Sequence, residues 1–331
     1  MENNKKITIA DVAQALGVSK TTVSRAISGK GRIGEKTRTR VLQYIEENDY
    51  RPNVVAQGLA QSKTFNIGVV VPGSYALTDL PFFQECLVGI HEKASGMGYD
   101  VLLTFCNNED ISDLERIVQF QKVDGMILLR SYTRDLAIDY LLEEKVPFVV
   151  IGSTKRKGIC MVDHDHRKAC CELTEKLLKN GMRRIALIGG DEKLVVTKNR
   201  LDGFEKAYQN QHLSYDTHLL YRDCKDADAV KSAVKSILLQ GADCIACMDD
   251  SICHNVLQVL ELEKKKVPKD ISVASFYGSP LPENGATPVA SLFFDAKELG
   301  RQAANMLCEQ MQGTLEHTKV LLEYECNLPT R

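Results

Sequence analysis

The sequence lacks the long apolar segments that membrane-spanning and exported proteins need. It contains no stretch of about 18 consecutive apolar residues, and it begins with the polar residues MENNKK rather than with an apolar run. The number of cysteines, eleven, is odd, and there is no export signal, so a disulfide framework is not expected. We therefore expect a cytoplasmic protein with reduced thiols.

Motifs of the common enzyme classes are also missing, since no phosphate-cradling glycine-rich loop and no nucleophile elbow occurs. The segment CIACMDDSICHN suggests a zinc site, because Cys244, Cys247, Cys253 and His254 are potential ligands. However, Cys244 and Cys247 fall in a predicted strand, where an odd separation turns them to opposite faces. We interpret them as small buried hydrophobic residues. No catalytic residue, metal or cofactor is expected.

Basic residues are concentrated at the start of the chain. Residues 1–63 contain 11 Lys and Arg against 6 Asp and Glu, a net charge of +5. The remainder contains 31 against 38, a net charge of −7. This asymmetry suggests that only the first part of the chain binds a polyanion, because the acidic remainder would be repelled by it.

Three short helices are predicted in the first fifty residues. Thr8, followed by Asp11 three positions later, predicts a capping box at the start of the first helix. Ser19 is placed to cap a second helix over residues 20–28, and a third helix is predicted near residues 35–48. Two helices joined by a short turn form a helix-turn-helix, whose second helix enters the major groove of DNA.

The predicted second helix carries cationic and hydroxyl side chains that suit DNA. Lys20, Thr21 and Arg25 share one face, where Arg25 can donate two hydrogen bonds to guanine and Lys20 or Thr21 can contact the neighbouring base pair. Short hydroxyl side chains suit phosphates, which position a protein without specifying sequence. The candidates for phosphate contact are Thr8, Ser19, Thr22, Ser24 and Ser28. The alternative is an ordinary solvated helix in a small bundle, but the motif and the basic charge together favour DNA binding.

A linker follows the predicted third helix. Pro52 ends the preceding structure, and the segment NVVAQGLAQ would form a short helix with Asn53 as its cap. Gly58 lowers the stability of that helix by roughly 1 kcal/mol, so the segment alone in water should be mostly unfolded.

From Asn66 onward, short apolar runs alternate with amphipathic helical patterns. The runs are NIGVVVP, YDVLLTF, DGMILLR, PFVVIG, RRIALIGG, DCIACMDD and ISVASFY. Continuous apolar runs predict strands buried on both faces, and hence parallel sheets with crossover helices. The pattern restarts near Arg183, which predicts two lobes of similar build. Ligands of such sheets bind beyond the carboxyl ends of the strands, here in a cleft between the lobes.

The segment ITIADVAQALGVSKTTVSRAISG and the continuation GEKTRTRVLQYIEENDYRPNVVAQGLA closely resemble the N-terminus of lactose- and galactose-repressor (LacI/GalR) family transcription regulators. The resemblance continues through IGVVVP, VDGMILL, RRIALIGG, RLDGF, VPKDISVASF and LG, and covers nearly the whole chain. It implies an N-terminal all-α helix-turn-helix head plus a hinge helix, and an α/β two-lobed body similar to periplasmic sugar-binding proteins, with parallel sheets. The expected boundaries are 1–52 for the head, 53–64 for the hinge and 65–331 for the effector-binding and dimerisation domain. Within that domain we expect an N-lobe at about 65–164 plus 296–325, and a C-lobe at about 165–295 plus the C-terminal end.

The resemblance also implies how such a protein works. A homodimer binds a pseudo-palindromic operator, the linker becomes a hinge helix on DNA, and a leucine, here Leu59, enters the minor groove as a wedge. A small effector in the cleft changes the relation of the lobes. We expect a transcriptional regulator of the repressor type, controlled by a sugar or related metabolite. One alternative is control by a protein partner that docks on the body. A remote alternative is a sugar-processing enzyme with a DNA-binding head. No leucine-rich heptad tail accompanies CNLPTR, so a tail-built tetramer is not expected.

Three polar residues match effector-binding positions of the family: Arg200 in RLDGF, Asp249 in CMDD and Asp163 in VDHDH. Carboxylate and guanidinium groups suit adjacent sugar hydroxyls, because each can bond two oxygens at once. Each residue also has a purely structural interpretation: a strand-end aspartate such as Asp249 often caps the next helix, and Arg200 could form a salt bridge within its lobe.

The sequence departs from the family in its aromatic residues. Tyr277 and Gly278 occupy positions where an acidic pair is usual, Phe294 lies near a common glutamine position, and the loop PGSYALTDLPFF is longer than usual. The aromatic candidates for effector contact are Tyr75, Phe82, Tyr277 and Phe294. Such a cleft would stack a flat or partly apolar ligand, or it is a sugar site whose other contacts survive. The sequence leaves both interpretations open.

Overall fold

The computed structural model describes residues 7–29, 31–51, 53–73, 81–278 and 288–328. The chain divides into two units, Met1–Thr64 and Phe65–Arg331, which we call the head and the body. Within the described residues, no helix combines the length and the apolar character needed to cross a membrane.

The described residues of the head form the helices α1 (Ile9–Leu16), α2 (Lys20–Ser28), α3 (Glu35–Glu47) and α4 (Val54–Gln61). Thr8 caps α1, because its hydroxyl accepts from Asp11 N while its own N–H donates to the Asp11 carboxylate at 2.8 Å. Ser19 caps α2 by accepting from Thr22 N at 3.0 Å. Both predicted caps are therefore confirmed. A small apolar core holds the first three helices together, and its buried members are Val12, Ala13, Val23, Ala26, Val41 and Tyr50.

The body contains two six-stranded sheets, each in its own lobe. The strands of the N-lobe are β1 (Asn66–Pro72), β2 (Asp100–Cys106), β3 (Gly125–Leu128), β4 (Phe148–Ile151), β5 (Cys160–His164) and β11 (Lys319–Leu322). Those of the C-lobe are β6 (Ile185–Ile188), β7 (Leu220–Tyr221), β8 (Cys244–Cys247), β9 (Ser272–Ser275), β10 (Ala290–Phe294) and β12 (Tyr324–Asn327). The strand orders are β11-β5-β4-β3-β1-β2 and β12-β10-β9-β8-β6-β7. All neighbours are parallel except β10 and β12.

Helices cover the faces of both sheets, as parallel connections require. The N-lobe has α5 (Pro81–Gly96), α6 (Ser112–Gln119), α7 (Leu136–Glu143) and α12 (Ala296–Gln312). The C-lobe has α8 (His166–Lys179), α9 (Val195–Asn210), α10 (Ala227–Gln240) and α11 (Asp250–Leu262), with a short 3-10 helix at Thr217–Leu219. The predicted fold, a helical head and a two-lobed α/β body with parallel sheets, is confirmed.

Most of the predicted strands are buried on both faces, but β2 is not. β1, β3, β4, β6 and β8 are buried over nearly their whole length, whereas Leu103 and Phe105 of β2 are 43% and 46% exposed. β2 pairs with β1 alone, at the end of its sheet. An edge strand has a neighbour on one side only, so its continuous apolar run does not imply complete burial.

Within the described part of the body, the chain passes between the lobes three times. The crossings follow β5 at residues 164–166, β10 at residues 294–296 and β11 at residues 322–324. Each lobe has its own apolar core, and Phe82 at the start of α5 packs against both.

Glycines allow one helix pair in each lobe to approach closely. A Cβ atom at Gly89 of α5 would overlap the carbonyl oxygen of Lys297 in α12, and one at Gly300 would overlap that of Cys86. In the C-lobe, a Cβ atom at Gly203 of α9 would overlap the carbonyl oxygen of Arg167 in α8. These contacts involve backbone atoms, which cannot rotate aside as the end of a side chain can.

We expect Gly300→Ala to lower the free energy of unfolding by about 1–3 kcal/mol or more, because the added methyl group must push α5 and α12 apart. Urea unfolding of the full chain, followed by circular dichroism, measures this loss. Gly96→Ala, at the exposed end of α5 with no atom within 4 Å of the new methyl group, is the matched control. It should be neutral or stabilising by up to about 1 kcal/mol. An equal effect of the two substitutions would contradict the packing argument.

Candidate nucleic-acid interface and effector cleft

The turn between α1 and α2 fixes the direction of α2. Gly17 has the left-handed conformation (φ 63°), and Val18 N donates to Ala13 O at 3.0 Å, so α1 ends in one tight turn. α2 then buries Val23 and Ala26 in the core of the head. The opposite side of α2 is left facing solvent.

The three predicted base-contacting residues lie on this exposed side. Lys20, Thr21 and Arg25 are all exposed, and Thr21 and Arg25 are four positions apart, which makes them neighbours on the helix surface. The one ion pair between described residues of the head joins Arg51 to Asp49. The cationic groups of Lys20 and Arg25 are therefore not neutralised by a carboxylate of the described head.

The five predicted phosphate-contacting residues differ in how their hydroxyl groups are used. Thr8 Oγ1 donates to the Asp11 carboxylate at 2.7 Å, and the hydroxyls of Ser19 and Thr22 bond each other at 2.8 Å. Ser28 Oγ lies 3.5 Å from Arg25 O. The exposed Ser24 makes no hydrogen bond with the part of the head that the structure describes. Ser24 can therefore donate to a phosphate without giving up an internal bond.

The linker forms α4 in the structure. Asn53 Oδ1 accepts from Ala56 N at 3.4 Å, as the predicted cap requires. Leu59, in the last turn of α4, is 85% exposed. The structure therefore leaves most of this apolar side chain in solvent.

A cavity of about 160 Å³ lies between the lobes of the body, where the strands of both sheets end. Six of the seven predicted effector-binding residues line it: Phe82, Asp163, Arg200, Asp249, Tyr277 and Phe294. The seventh, Tyr75, lies outside the described residues. The cavity position agrees with the rule that ligands of parallel sheets bind beyond the carboxyl ends of the strands.

Asp163 is a buried carboxylate near the end of β5. It accepts hydrogen bonds from Ser153 Oγ and from His164 N, the latter at 2.8 Å, and its Oδ1 lies 3.4 Å from His166 Nε2. Burial by itself would raise the pKa of Asp163, but the bonds from His166, Ser153 and the His164 amide outweigh burial and lower it. Asp163 is therefore ionised at neutral pH. Ser153 was not among the predicted effector residues, although it directly follows the PFVVIG run.

Asp249 and Arg200 both have structural bonds inside the C-lobe. Asp249 caps α11 by accepting from Ile252 N at 2.8 Å, and burial raises the pKa of its carboxyl group. Arg200 of α9 donates from Nη1 to Met248 O, and its guanidinium lies 5.9 Å from the centre of the Tyr277 ring. Arg200 forms no ion pair with a described residue, so the salt bridge within the lobe is absent there.

The aromatic residues of the cleft form one continuous cluster. The Tyr277 and Phe294 rings are nearly parallel, 12° apart in orientation with centroids 5.8 Å apart, and Phe82 meets Tyr277 edge to face at 5.7 Å. Phe294 also packs against the rings of His164 and His166, at 4.9 and 4.7 Å. Tyr277 and Phe294 are 8% and 3% exposed. They therefore present an apolar wall rather than protruding rings.

His164 and His166 line the same cavity but were not among the predicted effector residues. His164 Nδ1 lies 3.2 Å from Leu322 O and 3.0 Å from Glu323 O. His164 is itself part of the first crossing between the lobes. Its ring packs against Phe294 at the second crossing, and its Nδ1 reaches Leu322 O and Glu323 O at the third. The sequence signal that could have found these histidines is their position directly at the end of β5.

A second set of contacts joins the lobes directly. Tyr132 and Leu194 form an antiparallel bridge, in which Thr133 N donates to Lys193 O at 2.8 Å and Val195 N donates to Ser131 O at 3.2 Å. Lys193 Nζ also pairs with Glu109 Oε1 at 2.7 Å. The lobes are therefore held together by backbone hydrogen bonds and an ion pair in addition to the chain crossings.

Comparison with known proteins gives matches to both units. Residues 8–53 match the lacI family of bacterial regulatory proteins, and residues 174–331 match a periplasmic binding protein-like domain. The HTH-type transcriptional regulator DegA of Bacillus subtilis is 30% identical over 304 residues, which are 90% of this chain and 89% of that protein. The HTH-type transcriptional regulator MalR of Streptococcus pneumoniae is 38% identical over 218 residues, 65% of this chain and 66% of that protein.

The solved structures include a similar one that carries a ligand. It is the complex of the transcriptional regulator CelR with cellobiose, which has a TM-score of 0.73 and 27% identity and covers 97% of this chain and 98% of that one. Like these relatives, the chain is a transcriptional regulator rather than an enzyme, and its helix-turn-helix head and periplasmic-binding-protein-like body place it in the lacI family of bacterial regulatory proteins.

Proposed function

We propose that the protein is a cytoplasmic repressor that binds a pseudo-palindromic operator as a homodimer and is controlled by a sugar or related metabolite in the cleft of the body. The observation that carries the proposal is the exposed face of α2, where Lys20, Thr21 and Arg25 stand together on the second helix of a helix-turn-helix. An Arg side chain on such a helix can donate two hydrogen bonds to guanine in the major groove. A dimer places two such helices on two half-sites, which explains a pseudo-palindromic operator.

The cleft supports control by a small molecule. Its cavity lies where the chain crosses between the lobes three times, so a ligand there contacts both lobes and the segments that connect them. A ligand that binds one arrangement of the lobes more tightly than another shifts the population toward that arrangement. The relative CelR, whose structure contains cellobiose, supports a sugar as the ligand.

Two measurements on the full chain test the proposal. Selection from a random DNA library should enrich an inverted repeat, and enrichment of no common sequence would contradict operator binding.

Thermal unfolding should then be followed with sugars, sugar phosphates, nucleosides and small aromatic metabolites, because a ligand that binds only the folded state raises its stability. Stabilisation by sugars supports the proposal. Stabilisation by flat compounds alone would make Tyr277 and Phe294 the main binding surface, and no stabilisation would favour control by a protein partner.

Arg25→Ala should reduce discrimination between operator and random DNA by about 1–3 kcal/mol while leaving affinity for random DNA nearly unchanged, because a base contact is lost. Fluorescence-anisotropy titrations with both DNAs measure this difference. Ser24→Ala, on the same exposed surface, is the control and should weaken binding to both DNAs equally, as loss of a phosphate contact does. Equal losses for Arg25→Ala would instead assign Arg25 to phosphate.

Leu59→Ala should weaken operator binding by about 1–3 kcal/mol and reduce the bend in the bound DNA, because the apolar side chain no longer enters the minor groove. Circular-permutation gel shifts measure the bend. Leu42→Ala removes a 41% exposed leucine from α3 of the head and should leave the bend unchanged. A normal bend in the Leu59 variant would refute the wedge role.

A further inference from the structure

The lobes are joined by the chain on one side of the cavity and by non-covalent contacts on the other. The three crossings lie at the sheet edges that hold β5 and β11 in the N-lobe and β10 and β12 in the C-lobe. The bridge between Tyr132 and Leu194 joins the segments that follow β3 and β6, which lie toward the opposite edges of the two sheets. The cavity lies between the crossings and the bridge, because its lining includes His164 as well as Ser131 and Leu194.

We call the bridge and the ion pair beside it the clasp. Its two backbone bonds run from Thr133 N to Lys193 O at 2.8 Å and from Val195 N to Ser131 O at 3.2 Å. Its ion pair joins Lys193 Nζ to Glu109 Oε1 at 2.7 Å. Both side chains of the pair are more than half exposed, so water and salt screen their attraction. The backbone bonds therefore contribute most of the stability of the clasp.

The N-lobe half of the clasp is held in position by its own lobe. The buried carboxylate of Asp135 accepts from Tyr132 N at 2.9 Å and from Ile138 N at 3.0 Å. The side-chain amide of Asn108 donates to Arg134 O at 2.7 Å. These bonds fix the backbone on both sides of Thr133.

The C-lobe half is held in the same way. Asp191 Oδ1 accepts from Lys193 N at 2.9 Å, and Asp191 O accepts from Leu194 N at 3.2 Å. Because each half is ordered within its own lobe, joining the halves costs little further conformational entropy. All bonds of the clasp join two protein groups, so its formation requires no contribution from a ligand.

We propose that the clasp keeps the cleft closed in the effector-free protein, so that an effector enters and leaves only when the clasp opens. Ser131 and Leu194 are 5% and 6% exposed and line the cavity, so the bridge forms part of the cavity wall. Opening the clasp separates the lobes where no chain joins them, and the crossings then act as the hinge. The consequence for the effector rests on the proposed effector role of the cavity, whereas closure of the free protein does not.

Val195→Pro removes one backbone bond of the clasp with little other change. Val195 is the first residue of α9, where proline is favoured because the missing N–H has no partner within the helix. The preceding Leu194 has φ −82° and ψ 135°, a conformation that suits a residue before proline. Ala227→Pro is the matched control. Ala227 is the exposed first residue of α10 and follows the extended Asp226, and its amide takes no part in the clasp.

Amide hydrogen exchange of the effector-free full chain, followed by NMR, measures opening of the clasp. In Val195→Pro the Thr133 amide should exchange about 2- to 12-fold faster, as loss of one hydrogen bond predicts. Ala227→Pro should leave this rate unchanged. The Tyr132 amide, which donates to Asp135 within the N-lobe, should keep its rate in both variants.

Three results of this measurement would overturn the proposal. An unprotected Thr133 amide in the wild-type chain would mean that the clasp is open without effector. An unchanged Thr133 rate in Val195→Pro would mean that the two backbone bonds do not open together. Equal acceleration of the Thr133 and Tyr132 amides would indicate unfolding of the N-lobe loop rather than separation of the lobes.

The ion pair provides an independent readout. Salt should accelerate exchange at Thr133 in the wild-type chain, because screening weakens the Glu109–Lys193 attraction. Glu109→Gln should accelerate the same amide by up to about 5-fold and remove most of its salt dependence. Asp113→Asn breaks the similarly exposed pair with Arg116 inside α6 and should change neither quantity. Equal behaviour of the two variants would exclude the ion pair from the clasp.

Surface plasmon resonance with cellobiose tests the consequence for the effector. If the clasp is closed both before and after binding, Val195→Pro should raise the association and dissociation rate constants by the same factor and leave Kd unchanged. Faster dissociation with an unchanged association rate constant would show that the clasp forms only after binding, and would overturn the proposal. Absence of cellobiose binding would count against cellobiose as the effector, and exchange of the free chain would still decide whether the clasp is closed.

Discussion

The Asp163 carboxylate at the end of β5 is the interaction on which the effector cleft depends. It is buried where the chain first leaves the N-lobe, and it remains ionised because Ser153, the His164 amide and His166 all donate to it. By accepting from His166 it sets the tautomer of that ring, and the ring in turn packs on Phe294 at the second crossing. One carboxylate thus holds a polar network and an aromatic cluster together at the junction of the two lobes.

The head differs from the body in the exposure of the side chains that we assign to binding. Its core is small, and the residues assigned to DNA are side chains that the fold does not bury. Lys20, Thr21, Ser24 and Arg25 are exposed on α2, and Leu59 is exposed on α4. In the body, by contrast, the polar side chains that line the cleft, such as Asp163 and Arg200, are buried. The effector that we propose for this cleft would fill the cavity and replace their solvent contacts. DNA is a large charged surface, so exposed side chains are sufficient there.

Much of the fold could be predicted because the signals are local. The Thr8–Asp11 capping box, the Ser19 cap and apolar runs such as NIGVVVP act within a few residues, and the structure has the corresponding helices and strands. Strand β5 was harder to recognise, because its buried sequence CMVDH includes an aspartate and a histidine that are tolerated only through partners elsewhere in the fold. The exposure of Phe105 likewise depends on the position of β2 at the edge of its sheet. The order of strands in a sheet cannot be predicted from an apolar run alone.

Residue types and short-range spacing were sufficient to predict where helices begin, which segments become strands and that the head is basic. The family resemblance was sufficient to predict that Arg200, Asp249 and Asp163 belong to the cleft. The hydrogen-bond partners of His164 could be identified only from the tertiary structure, because the two carbonyl oxygens near its Nδ1 belong to residues 158 and 159 positions away in the sequence. These hydrogen bonds join segments that are far apart in the chain, so they exist only once the lobes have formed.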